Sequence, residues 1–104
     1  MIKYALFVAV VLAGAGGCAR RSPPQVTAMD AERANIELAE LQQGRKLLLG
    51  KCASCHKTPM PGDHTPAEWP AVLDDMAERA KLDANQERLI QQYLLTMASI
   101  EPRK

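Results

Sequence analysis

The chain has 104 residues, and 13 Lys and Arg against 12 Asp and Glu give it a formal net charge of +1. That balance leaves no basic field with which to hold nucleic acid, and the length leaves room for a single small domain. Three cysteines in so short a chain ask for a chemical explanation rather than a packing one.

Met1 to Lys3 supplies a short positive start, Tyr4 to Ala13 is an unbroken apolar run, and small residues follow up to Cys18. This is the layout of a secretory signal. The run is shorter than the roughly 20 residues a permanent membrane span requires, so residues 1–17 are expected to be removed. Ala15-Gly16-Gly17-Cys18 resembles a bacterial lipobox, with Ala15 where leucine is usual, and this implies that Cys18 becomes the lipidated first residue of an exported, membrane-anchored periplasmic protein. An ordinary signal-peptidase cut among the same small residues is the alternative. Ala19 rather than aspartate after the cysteine resembles an outer-membrane address. Lys3 is the only charge lost on cleavage, so the mature chain is formally neutral. Residues 18–29, with Arg20-Arg21-Ser22-Pro23-Pro24-Gln25 and no apolar periodicity, read as a flexible linker. Residues 30–104 are then the domain, close to the size at which a core benefits from a covalent or metal staple.

Within the domain the pattern predicts three helices. From Asp30 to Lys51, Ala34, Leu38, Leu41, Leu48 and Cys52 share one face at helical spacing, with Asp30 as the cap. A loop follows over 57–64, broken by Pro59, Pro61 and Gly62. Thr65-Pro66-Ala67-Glu68 is a capping box with proline at the first helical position, and the helix it opens should turn Trp69, Val72, Leu73, Met76 and Ala80 inward. Asp83 and Gln86 repeat the capping logic for a last helix with the stripe Leu89, Ile90, Tyr93, Leu94 and Met97, and Pro102 lies beyond its end. No segment alternates with period two, so the expected fold class is all-α.

Cys52-Ala53-Ser54-Cys55-His56 carries the chemistry. Cys-X-X-Cys-His is the attachment signature of c-type haem: two intervening residues let one helical turn present both sulfurs to the vinyl groups on one edge of a porphyrin, and the next residue, His56, reaches the iron. A thioredoxin-like redox pair would need a strand ahead of it, and the residues before Cys52 are helical. A zinc site would need a second Cys-X-X-Cys or His pair, which is missing. With Cys18 on lipid and Cys52 and Cys55 on haem, no thiol is left over in an oxidising compartment.

The chain from about Gly44 to Ala98 resembles class I cytochrome c domains, especially small bacterial monohaem ones. In that family a glycine before the first haem cysteine packs against an aromatic residue of the C-terminal helix; Gly44-Arg45-Lys46-Leu47-Leu48 and Leu89-Ile90-Gln91-Gln92-Tyr93-Leu94 match these two elements. The resemblance implies a small three-helix cytochrome c-like domain around one covalent haem c, with Cys52, Cys55 and His56 as cofactor-binding residues and His56 on the iron.

The family commonly completes the iron with a methionine sulfur ahead of the last helix, and a thioether ligand raises the reduction potential. Met29 precedes the domain, Met60 follows His56 too closely, and Met97 sits in the core stripe. Met76 is therefore the expected second metal ligand, though the family usually delivers this residue from a loop rather than a helix. His64 is the alternative, and bis-histidine ligation would lower the potential. Trp69 is expected to pack in the core or at the haem edge, where its indole N–H could reach a propionate.

These residues predict a non-enzymatic electron carrier, since no acid–base pair, nucleophile triad or phosphate loop is present. Its partners would be redox proteins, with membrane attachment through Cys18 and no nucleic acid. The competing readings are a haem-based sensor with an open distal position and an accessory redox subunit of a larger oxidoreductase complex.

Overall fold

The computed structural model describes residues 22–52 and 58–100, and all regular structure among them is helical. In chain order these are α1 (Ala28–Ala34), α2 (Leu38–Leu47), a π-helical turn (Leu48–Cys52), a 3-10 turn (Pro61–Asp63), α3 (Trp69–Ala80) and α4 (Ala84–Ala98). Among the described residues no helix is long and apolar enough to cross a membrane. The expected signal peptide, 1–17, and Cys18 lie outside the described residues.

The first expected helix, over 30–51, is broken. Thr27 rather than Asp30 caps its start: Thr27 Oγ1 accepts from Asp30 N at 3.3 Å, and the Asp30 carboxylate accepts in return from Thr27 N at 2.8 Å. Asp30 is thus the N3 member of the capping box. After seven helical residues the chain reverses at Asn35, whose left-handed φ of 53° lets Asn35 N and Ile36 N donate back to Glu32 and Ala31 carbonyls. Asparagine tolerates this conformation better than most residues. α1 is therefore a separate short helix packed against α2 and α4.

Asp30 is buried, and the hydrogen bond from the Thr27 backbone holds its carboxyl below the ordinary range against the opposing pull of burial. The Thr27 hydroxyl and Arg33 reinforce it. A lowered acid stabilises the fold above its unfolded pKa, and that contribution is lost as pH falls through the folded value. Asp30→Asn should accordingly lower the urea midpoint at pH 7, with the difference from wild type closing under strongly acidic conditions. A gap that stays constant with pH would sink this account.

The core forms where α2 crosses α4. Leu41 and Gly44 of α2 are buried, as are Leu89, Ile90, Tyr93, Leu94, Met97 and Ala98 of α4. At Gly44 a side chain has no room: an ideal Cβ would overlap the carbonyl oxygen of Leu89 and lie 2.9 Å from Tyr93 Cβ. The missing side chain sets how closely the two helices approach.

α3 closes the other side, against α4 and the π turn. The Thr65–Glu68 reciprocal bonds form as expected, with Thr65 N donating to Glu68 Oε1 at 2.8 Å and Glu68 N to Thr65 Oγ1 at 3.3 Å. They hold the turn that leads into the helix, which is regular from Trp69. Its buried line is Trp69, Leu73 and Ala77, while Val72, Met76 and Ala80 are half-buried at its flank. The inward face is thus rotated from the expected one, because α3 must pack on α4 and on the π turn together.

Asp74 of α3 lies beside Glu87 in the first turn of α4, and a hydrogen bond between the two acids pushes the Glu87 carboxyl up. A raised acid costs stability once both groups ionise, and that cost disappears as pH falls through the folded pKa. Glu87→Gln is expected to raise the thermal midpoint at neutral pH and to match wild type in acid. A lower midpoint at pH 7 would rule out repulsion as the dominant effect.

Candidate functional site

Helix α2 does not run unchanged into the cysteine motif. Over Leu48–Cys52 the backbone widens into a π turn, a local irregularity often found beside functional residues. Leu48 and Cys52 both face inward from this turn, while Gly50 and Lys51 are exposed. Cys52 thereby joins a packed apolar cluster with Leu48, Trp69, Leu73, Ile90, Tyr93, Leu94, Met97 and Ala98.

The remaining members of the motif, Cys55 and His56, lie outside the described residues. Among the described residues no group of three or more His, Cys, Asp or Glu side chains is placed to hold a metal ion.

The four methionines weighed from sequence occupy different environments. Met29, on α1, is 75% exposed, and Met97 is buried in the core. Met60 is half-buried just before the 3-10 turn. Met76 is half-buried on α3 and packs against the cluster that contains Cys52, as do Val72, Leu47 and Leu95. A thioether and the first motif cysteine thus border one apolar cluster, reached from two helical segments in direct contact.

Trp69 is wholly buried, and its indole Nε1 donates to the Pro61 carbonyl oxygen at 2.9 Å. This bond occupies the one N–H that the indole could have offered to a propionate. It also pins the 3-10 turn to α3, at the far end of the loop that begins with the motif. The ring of half-buried His64 meets the Trp69 ring edge-on, with centroids 4.8 Å apart and planes at 79°.

Sequence reasoning missed the N-terminal contacts. Pro23 is fully buried and Val26 packs against the core cluster. Arg45 Nε donates to the Pro23 carbonyl at 3.1 Å, and the Tyr93 hydroxyl donates to the Pro24 carbonyl at 2.6 Å. Over 22–27, the stretch read as part of a flexible linker lies against the domain. The paired prolines, which offer acceptors but no backbone donors, were the available signal.

A separate groove of about 460 Å³ runs between the α1–α2 corner and α4, lined by Ala31, Asn35, Ile36, Glu37, Glu40 and Gln92 among others. It shares no residue with the cluster around Cys52. Comparison of the chain with known protein families, with characterised proteins and with solved structures finds no match.

Proposed function

We propose that the protein is a small exported monohaem c-type cytochrome that carries electrons between redox proteins, with haem c attached through Cys52 and Cys55 and its iron held by His56 and Met76. The observation that carries this reading is the shared apolar cluster bordered by Cys52 and Met76. The close crossing of α2 and α4 at Gly44 and Tyr93 supports it from outside the motif.

The donor set suits the group. Haem c needs thiols for its vinyl groups, an imidazole or thioether for its iron and an apolar surround that keeps water away. The chain offers Cys52 inside an apolar cluster and a half-buried thioether at that cluster's edge. When bound, the group supplies a one-electron ferric–ferrous couple. The chain's own share is to fix Cys52 through the π turn, to present the Met76 sulfur from α3, and to exclude water with Trp69, Leu73 and Leu94. In the proposed assignment Cys18 carries the lipid that anchors the domain to a membrane facing the periplasm.

Protein matured in a host competent for c-type biogenesis should give the pyridine haemochrome spectrum of one covalent haem, with intact mass raised by haem and lipid. A colourless product with both motif thiols open to alkylation would end the proposal. Met76→Ala should convert the low-spin visible spectrum to high-spin and abolish the long-wavelength methionine–iron band. An unchanged spectrum would remove Met76 as the ligand while leaving the covalent attachment standing.

A further inference from the structure

We infer that residues 23–26 form a clasp that shortens the membrane leash and holds the α2–α4 crossing toward the bilayer. This rests on the proposed lipid anchor at Cys18. Four contacts make the clasp: Pro23 is fully buried, Val26 packs on the core, Arg45 Nε holds the Pro23 carbonyl and the Tyr93 hydroxyl holds that of Pro24. The two donors come from the two helices that meet at Gly44, so the clasp sits across their crossing.

The chemistry of the segment suits this use. Each proline has its φ already fixed and lacks an N–H that docking would otherwise strand, so at these two positions only the carbonyls need partners, and Arg45 and Tyr93 supply them. Tyr93 serves twice, with its Cβ against the Gly44 notch and its hydroxyl on the clasp.

The consequence is a change of reach. A free linker over 18–29 could extend about 40 Å from the anchored cysteine, whereas the five steps from Cys18 to Pro23 span at most about 17 Å. The partner of this face is a lipid surface, held close by covalent geometry rather than by affinity. Orientation follows as well, since the leash enters the domain at one point on the crossing instead of at the start of α1.

The test uses the full, lipidated protein on supported bilayers of phosphatidylethanolamine and phosphatidylglycerol, with the protein layer's distance from the membrane read by neutron reflectometry. Three Gly-Ser pairs inserted between Ser22 and Pro23 should move the layer outward. The same insertion between Val26 and Thr27 should leave it in place, because the clasp holds upstream of it. Arg45→Ala with Tyr93→Phe, which keeps the ring in the notch, should make the second insertion behave like the first. If both insertions move the unsubstituted protein equally, the clasp is overturned. A product whose mass lacks the lipid and which does not stay on the bilayer overturns the anchor itself, and the bilayer-facing assignment with it.

Discussion

Gly44→Ala is expected to lose about 2 kcal/mol or more of unfolding free energy in urea titrations. Overpacking a close-packed contact costs roughly 1–3 kcal/mol, and this one stands at the upper end because the obstacle is backbone. The new Cβ would overlap the Leu89 carbonyl oxygen and lie 2.9 Å from its carbonyl carbon. Neither can rotate away as a side-chain tip could. Alanine's better helix propensity returns up to ~1 kcal/mol, which is why the net loss is smaller than the steric cost. Gly50 is the internal control, since a Cβ there meets nothing within 4 Å. Gly50→Ala should leave stability unchanged or slightly raised. If the two glycine variants behaved alike, close approach of α2 and α4 would not be what Gly44 provides.

Trp69 should show the largest truncation effect. Replacing a buried aromatic residue by alanine costs about 3–5 kcal/mol, and Trp69 is wholly buried at the junction of α3 with the core. Trp69→Phe separates the ring from its polar edge. It keeps most of the apolar bulk and leaves the Pro61 carbonyl without the indole donor now at 2.9 Å, a loss of roughly 1–3 kcal/mol for a buried acceptor. Hydrogen exchange should then show the 3-10 turn, Pro61–Asp63, opening more often in the phenylalanine variant than in wild type. Equal protection of that turn in both proteins would mean that the bond does not hold it.

The parts of the fold that could be read from residues alone were those whose signals are local. The α4 stripe is buried at every expected position, and its Asp83–Gln86 capping box forms as anticipated. The Thr65–Glu68 pair likewise makes its reciprocal bonds. The break at Asn35 was hidden because asparagine is an ordinary helix residue by propensity, and its left-handed conformation is chosen by how α1 packs on α2 and α4. The contacts of Pro23, Pro24 and Val26 are hidden for a related reason: they are made with residues far along the chain, and composition carries no record of them. At the candidate site the motif singles out Cys52 and the family resemblance Met76, but the burial of Cys52 in the core and the half-buried setting of Met76 follow from the π turn and the rotation of α3. Cys55 and His56 stand on the motif, since they lie outside the described residues.

The order in which the chain is made bears on the crossing of α2 and α4. The contact between Tyr93 and Pro24 joins residues 69 positions apart, and Gly44 waits for Leu89 and Tyr93. Synthesis proceeds from the N-terminus, so α2 and the turn ending in Cys52 emerge well before the helix that seals them. Until residues 84–98 arrive there is nothing for Gly44 to nest against, and the Cys52 side chain lacks the residues of α4 that enclose it in the finished core. Docking of the last helix is therefore the step that closes the core around Cys52.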